Sequence, residues 1–311
     1  KDQANVAIVE VTFWTTTRAD YPSGDGDARS EILAALEGFD VAAAQQFAEY
    51  TRLQSRLEQA NMKAKIRKML RDISAALSGA SSQVASVRRE FQGYVDLINS
   101  GIDVLVGQPL LLAQQMINLT TAPARAIAGI RSRLEGYADL LQRLFQSSRS
   151  TSSVRAVSAT QRVKVANDFR ATDLAAMSAV AGTVGSVLRH EFTTKPEAIA
   201  AAEEVIRQLD ELTTWREERF EALGETDDGG SYQALQEAVA LTAGFLVEVS
   251  FALVPERSIV LERPRTALDV CAELYRTVEG GRLDFLITSN DLSGSEIFEL
   301  PAGKEIFYYA Q

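Results

Sequence analysis

Apolar residues change their period twice along this chain. Near its start Val6, Ile8 and Glu10 alternate with Ala7, Val9, Val11 and Phe13, the two-residue period of a strand. The run stops at Tyr21-Pro22-Ser23-Gly24-Asp25-Gly26-Asp27, a strong turn and linker signal. A lone strand is not stable, and nothing strand-like follows until the C-terminal region, so residues 1–28 are expected to be the terminal strand and linker of a preceding, truncated β domain. From about Ser30 the period becomes helical. Leu53, Leu57, Ala60 and Ala64 recur at steps of four and three, and Met69, Ile73 and Leu77 continue them. Further stripes are Ile130, Leu134, Tyr137, Leu141 and Leu144; then Ile199, Ala202, Ile206, Leu209, Thr213, Arg216, Phe220 and Leu223; then Tyr232, Leu235, Val239, Thr242 and Leu246. Each predicts one apolar face of an amphipathic helix. Breaks at residues 79–82, 108–109, 121–123, 147–153, 193–196 and 224–231 divide residues 29–255 into six or seven helices. Thr194 and Glu197, with Pro196 between them, read as a helix start with a capping box.

Two helical stretches are more apolar than the rest. Ala171–Leu188 is dense in Ala, Gly, Ser and Val, and small residues of this kind let helix backbones approach closely, which predicts a packed central helix. Ala238–Val254 is apolar apart from Thr242, Glu248 and Ser250. Its length is at the lower limit for a bilayer span and it carries an internal Glu, so a buried bundle helix is expected in preference to a membrane segment.

The second change of period comes near residue 256. Ser258-Ile259-Val260-Leu261 reads as a short strand, and Thr266–Tyr275 as a helix with Leu268, Cys271, Ala272 and Tyr275 on one face. Gly280-Gly281 turns the chain, Leu283–Asn290 forms a second helix, and a final strand spans Lys304–Tyr309 after a Leu300-Pro301-Ala302-Gly303 turn. The result is a small βααβ unit over residues 256–311. Asn290 is expected to cap its second helix and Gly303 to supply a positive φ where a side chain would clash.

Charge and composition narrow the function. The net charge is −10, from 32 basic and 42 acidic residues, and the negative excess falls after residue 150. A sequence-independent grip on nucleic acid needs clustered Lys and Arg, so this balance disfavours one. The one basic cluster, Lys63, Lys65, Arg67, Lys68 and Arg71, lacks interleaved aromatics and reads as a solvated or partner-facing helix surface. Cys271, the single cysteine, excludes an internal disulfide, and His190, the single histidine, removes most zinc sites and leaves a Ser-His or Cys-His mechanism one exposed residue to depend on. Glu203-Glu204, Asp210-Glu211 and Glu217-Glu218 repeat at seven-residue spacing, as solvated helix positions do, so they are not read as an acid–base pair. Asp227-Asp228-Gly229-Gly230 lacks the ligand series of a calcium loop. No enzyme and no cofactor are expected.

The C-terminal unit resembles a LysM-type module. The likeness is carried by Ile259–Leu261, the Ala267–Tyr275 helix, Asn290-Asp291-Leu292, the Leu300–Gly303 turn and Glu305-Ile306-Phe307. Sugar-binding members begin the first helix with Gly-Asp-Thr or Gly-Asp-Ser, whereas this chain has Arg263-Pro264-Arg265-Thr266, which argues against glycan binding. The chain as a whole resembles the C-terminal part of the DNA circularisation protein family of Mu-like contractile-tailed phages. That likeness rests on Val11-Thr12-Phe13, on Arg170-Ala171-Thr172-Asp173-Leu174 leading to Phe192-Thr193-Thr194-Lys195-Pro196-Glu197-Ala198, and on the LysM-like end. It implies a tail protein at the baseplate or hub, assembled in the host cytoplasm and carried in the virion. Its partners would be other tail proteins and copies of itself in a symmetric ring; nucleic acid and membrane are not expected. The expected fold is therefore mainly α over residues 29–255, with a small α+β LysM-like docking module at 256–311. Tyr275, Asn290, Leu292, Pro301, Gly303 and Tyr308 are the residues expected to define that module. The alternatives are a peptidoglycan-recognising LysM-type protein and an injected DNA-binding or circularisation protein.

Overall fold

The computed structural model describes residues 25–309, apart from 83, 126–128, 153–157, 225–228, 254–255, 279–280 and 291. The strand expected at residues 6–13 and the Asp227-Asp228 turn lie outside the described residues. The protein is mainly helical, with one two-stranded antiparallel sheet among those described. Residues 25–252 form eight α-helices where the apolar period predicts six or seven. They are α1 (Asp25–Tyr50), α2 (Arg56–Ser82), α3 (Ala85–Leu105), α4 (Pro109–Thr121), α5 (Ile130–Ser152), α6 (Ala159–Leu188), α7 (Lys195–Leu223) and α8 (Gly230–Ala252). A 3-10 turn, Ala122–Arg125, follows α4.

Local chemistry sets most of the ends. Pro109 occupies the first turn of α4, where its missing N–H costs nothing. Thr194 caps α7 by accepting from the Glu197 N–H at 3.4 Å. The return bond of the expected capping box goes one residue further back, from the Thr193 N–H to Glu197 Oε2 at 3.3 Å. Gly224 ends α7 in the left-handed region at φ +62°. Two expected breaks fall later than the composition suggests: α2 continues through Ser82 and α5 through Ser152.

The break between α1 and α2, at residues 51–55, is not among those the apolar period predicts. Ser55 and Glu58 make a reciprocal cap there, with Glu58 N–H to Ser55 Oγ at 3.2 Å and Ser55 N–H to Glu58 Oε2 at 2.8 Å. The stripe expected from Leu53 to Ala64 is therefore wrong, because Leu53 is buried in the connection while Leu57 is 56% exposed. The buried face of α2 runs instead through Met62, Ile66, Met69, Leu70, Ile73 and Leu77.

A second correction concerns α7. Ile199 and Ile206, expected inside, are 37% and 43% exposed, and the helix buries Ala198, Ala201, Ala202, Val205, Leu212 and Trp215. The small side chains let α7 close on α6 and α8 together, while Trp215 stacks on Phe145 of α5, so three neighbours bear on its rotation. Of the expected faces of α5 and α8, Tyr137, Leu141, Leu144, Leu235, Val239, Thr242 and Leu246 are buried, while Ile130, Leu134 and Tyr232 are partly buried.

Helix α6 lies at the centre, against α1, α2, α4, α5, α7 and α8. From Phe169 to Leu188 every residue but Gly185 is buried. Among the described residues two helices, α6 and α8, are long and apolar enough to cross a membrane by length and composition. The apolarity of α6 is accounted for by protein neighbours, which bury 94% of its most apolar window; for α8 the share is 39%, and Val247 and Phe251 are exposed.

The C-terminal region forms β1 (Glu256–Val260), α9 (Ala267–Tyr275), α10 (Arg282–Ser289), a 3-10 turn (Gly294–Ile297) and β2 (Glu305–Tyr309). It has its own hydrophobic cluster of Leu261, Ala267, Val270, Cys271, Leu286, Leu292, Leu300 and Ile306, separate from the cluster of the eight helices. The inner face of α9 is Ala267, Val270 and Cys271 with Leu274 partly buried; Leu268, expected inside, is 50% exposed. The Thr266 side chain caps α9 through the Asp269 N–H at 3.0 Å, and starting the helix there turns Leu268 outward.

Candidate functional site

Of the six residues expected to define the C-terminal module, Asn290 and Tyr275 hydrogen-bond to β2 and Tyr308 lies within it. Strand β2 pairs with β1 in antiparallel register, Ile259 opposite Ile306 and Ser258 opposite Phe307. Ile306 is wholly buried and Phe307 faces away from the core. Gly303 enters the strand at φ +82°, donating from its N–H to the Leu261 carbonyl at 2.7 Å. The expected clash is absent, because a Cβ at Gly303 would meet nothing within 4 Å. Only the backbone conformation favours glycine there. Pro301 is exposed, and its carbonyl accepts from the Lys304 N–H at 3.3 Å, closing the turn. Leu292 is in the core, and Tyr308 packs against that core from β2.

Asn290 does more than cap. Its amide donates to the Leu286 carbonyl at 2.9 Å, as expected at the end of α10. The same side chain also donates to the Phe307 carbonyl at 2.8 Å and accepts from the Phe307 N–H at 2.7 Å. It thus occupies the place of a neighbouring strand along the outer edge of β2. Tyr275 continues this cover, its hydroxyl accepting from the Tyr309 N–H at 3.3 Å. The Arg265–Leu300 bridge and the edge-to-face pair of Phe285 and Tyr309, centroids 5.1 Å apart, complete the module. Neither was expected from the sequence. The apolar run ending in Tyr308-Tyr309 is the only local signal, and pairing partners that distant leave no spacing to read.

Several chemistry-bearing residues elsewhere are engaged with neighbouring side chains. His190 follows the end of α6 with its Nε2 2.8 Å from Glu197 Oε1 and its ring edge-on to Phe192. Glu204 and Glu211 both hold Arg207, while Glu203, Asp210, Glu217 and Glu218 are exposed. In the basic cluster Lys63 pairs with Asp103 at 2.5 Å and Lys68 donates to Ser147 at 2.8 Å. Lys65 departs from the solvated reading: burial pushes its ammonium down to about 8 despite Asp168 and Asp72 nearby. Cys271 is buried, its thiol pushed up by that burial. Among the described residues no group of three or more His, Cys, Asp or Glu side chains is placed to hold a metal ion.

Two concavities stand out on the helical part. One, of about 500 Å³, lies between α5 and α7 and is lined by Ile130, Leu134, Ala138 and Phe192 with Glu135 and Glu204. The other, of about 480 Å³, is lined by Arg52, Arg162, Arg170, Glu49 and Asn167. It receives the C-terminal ends of both α1 and α7, at Tyr50 and Gly224. The arginines there lie near the C-terminal ends of two helices, where the dipole is negative, and near Glu49. Asn167 pairs there with the backbone of Arg52 in both directions, at 2.9 and 2.6 Å, as Asn290 does with Phe307.

No family model matches the chain, and no curated protein matches it.

Proposed function

We propose that the chain is a structural component of a contractile phage tail, placed at the baseplate or hub and acting in assembly through protein–protein contacts. The observation that carries this reading is the C-terminal unit. It combines β–α–α–β order, a two-stranded antiparallel sheet, Asn290 at the end of the second helix and a left-handed Gly303 before the last strand. On this reading the unit is a LysM-like docking module. Arg263-Pro264-Arg265-Thr266 stands where a sugar-binding module would start its first helix, and Arg265 is committed to Glu273 and to the bridge with Leu300. The module is thereby suited to binding a neighbouring subunit rather than a glycan. The helical part, with its long buried α6, serves as a brace, and its role needs complementary surfaces without reactive groups.

The test is electron microscopy and mass spectrometry of purified particles whose genome encodes this chain. The chain is expected in the tail, in a number of copies set by the tail's symmetry. Its absence from particles would overturn the proposal. Saturable binding of peptidoglycan fragments by the full chain at millimolar or lower concentration would favour the glycan-recognising alternative, since that affinity is worth about −4 kcal/mol.

A further inference from the structure

The two edges of the small sheet are treated unequally. In an antiparallel pair, opposed residues alternate between those that bond across the ladder and those whose N–H and C=O groups point outward. Phe307 is of the outward kind, since both its backbone groups go to Asn290. Ser258, its register partner, must then point its own N–H and C=O outward, on the opposite side of the sheet. Val260 and Glu256, two residues either way, share that orientation. The Leu261 N–H bonding to the Lys304 carbonyl at 3.0 Å fits the same alternation. The edge of β2 is covered by Asn290 and Tyr275, whereas among the described residues nothing hydrogen-bonds to the outer edge of β1. Beside that edge the outer face of the sheet exposes two large apolar side chains among the polar Ser258 and Glu305: Val260 is 62% exposed and Phe307, its diagonal neighbour, is 37% exposed.

An open strand edge next to an exposed apolar pair is a template for an added strand. We propose that the added strand is β1 of a second copy, paired antiparallel about a twofold axis through Ser258. Three features favour a second copy. The outward groups of β1 are disposed evenly about Ser258, so the edge is complementary to itself, as an isologous contact requires. Serine at the axis leaves room for close approach. The far edge of each copy is closed by its own Asn290 and Tyr275, so pairing stops at a four-stranded sheet and does not propagate into a fibre. Two Val260 and two Phe307 side chains then share one face of that sheet, each Val260 in register with Glu256 of the second copy. The inference stands on edge geometry and holds whether or not the chain belongs to a tail.

Sedimentation velocity of the full chain across the micromolar to submillimolar range, at a salt concentration that screens its net charge of −10, tests this. A concentration-dependent dimer is expected. Ser258→Pro removes an N–H that the chain's own ladder does not use, and by symmetry it deletes both bonds of the central pair. It should raise the dissociation constant by about tenfold or more, with the helical circular dichroism unchanged, while Ser258→Thr keeps the dimer. If Ser258→Pro fails to fold, Val260→Glu on the exposed patch should weaken the dimer instead. A wild-type chain that stays monomeric throughout overturns the inference. A dimer indifferent to both substitutions does so too, showing that another surface is used.

Discussion

Asp173 and Arg216 lie on α6 and α7 with side chains only 4% exposed, 3.4 Å apart. Arg216 also sits over the Tyr232 ring at 4.5 Å and beside the Met177 sulfur. Two charges withdrawn from water are costly, and their pairing offsets that cost only while both are present. Arg216→Ala or Asp173→Ala should each lower stability by roughly 3–5 kcal/mol in denaturant titrations. The double replacement Asp173→Leu with Arg216→Met should recover much of that loss; a double-variant loss equal to the sum of the two single losses would show that the pair is not coupled. Asp40 makes a different residue-scale prediction. Burial pushes its carboxyl from 3.8 up to about 6, against Arg125, which lowers it, and with Glu37, which raises it further. A carboxyl raised in the folded state contributes stability that is fully present below its unfolded pKa and lost as pH rises through about 6. The wild-type midpoint of thermal unfolding should therefore contain a component that falls between pH 4 and 7, and Asp40→Asn should remove that component and be the more stable protein at neutral pH.

At the scale of elements, close approach and turn geometry carry the predictions. Gly182 on α6 faces the wholly buried Tyr137 of α5, and a Cβ there would come within 2.4 Å of the ring. Tyr137 is held by its hydroxyl, which donates to the Thr120 carbonyl at 3.0 Å, so it has little room to yield. Gly182→Ala should cost about 1–3 kcal/mol by overpacking, although alanine is the better helix former. An unchanged or raised melting temperature would show that α5 and α6 can separate freely. In the module, Gly303→Val should cost on the order of 1–3 kcal/mol, and the open space around the position assigns that cost to φ alone. Asn290→Ala removes four hydrogen bonds, two of which close the edge of β2, and should cost roughly as much. Gly303→Asn, which tolerates positive φ, should be milder than Gly303→Val; the reverse order would refute the conformational account.

At the scale of the whole molecule, two separate hydrophobic clusters predict two cooperative units. Gly303→Val should shift a transition reported by the aromatic residues of the module, Phe285, Tyr308 and Tyr309, and leave the helical signal of residues 25–252 in place. A single shared transition for both signals would mean that the clusters unfold as one. On the proposed function, the same substitution yields particles with defective tails, while Glu203→Gln and His190→Ala assemble normally.

Class and order of elements were legible in the sequence because they depend on periods and caps that act within a few residues. The helical stretch, the packed small-residue helix at Ala171–Leu188, the break that begins at Gly224, the capping role of Asn290 and the left-handed Gly303 are all of this kind. The start of α2 was equally available in Ser55-x-x-Glu58, which the apolar stripe through Leu53 concealed. What only the tertiary structure decided is rotation and pairing. Which face of α7 turns inward depends on three neighbours at once, α5, α6 and α8, so Ala201 and Trp215 are buried where Ile199 and Ile206 are not. The second use of Asn290, as a stand-in for a strand beside Phe307, depends on a backbone 17 residues away in sequence. Burial of Arg216 with Asp173 likewise joins positions 43 residues apart by their numbering in the chain. Such contacts arise from the closing of the chain on itself, and no local period of side chains encodes them.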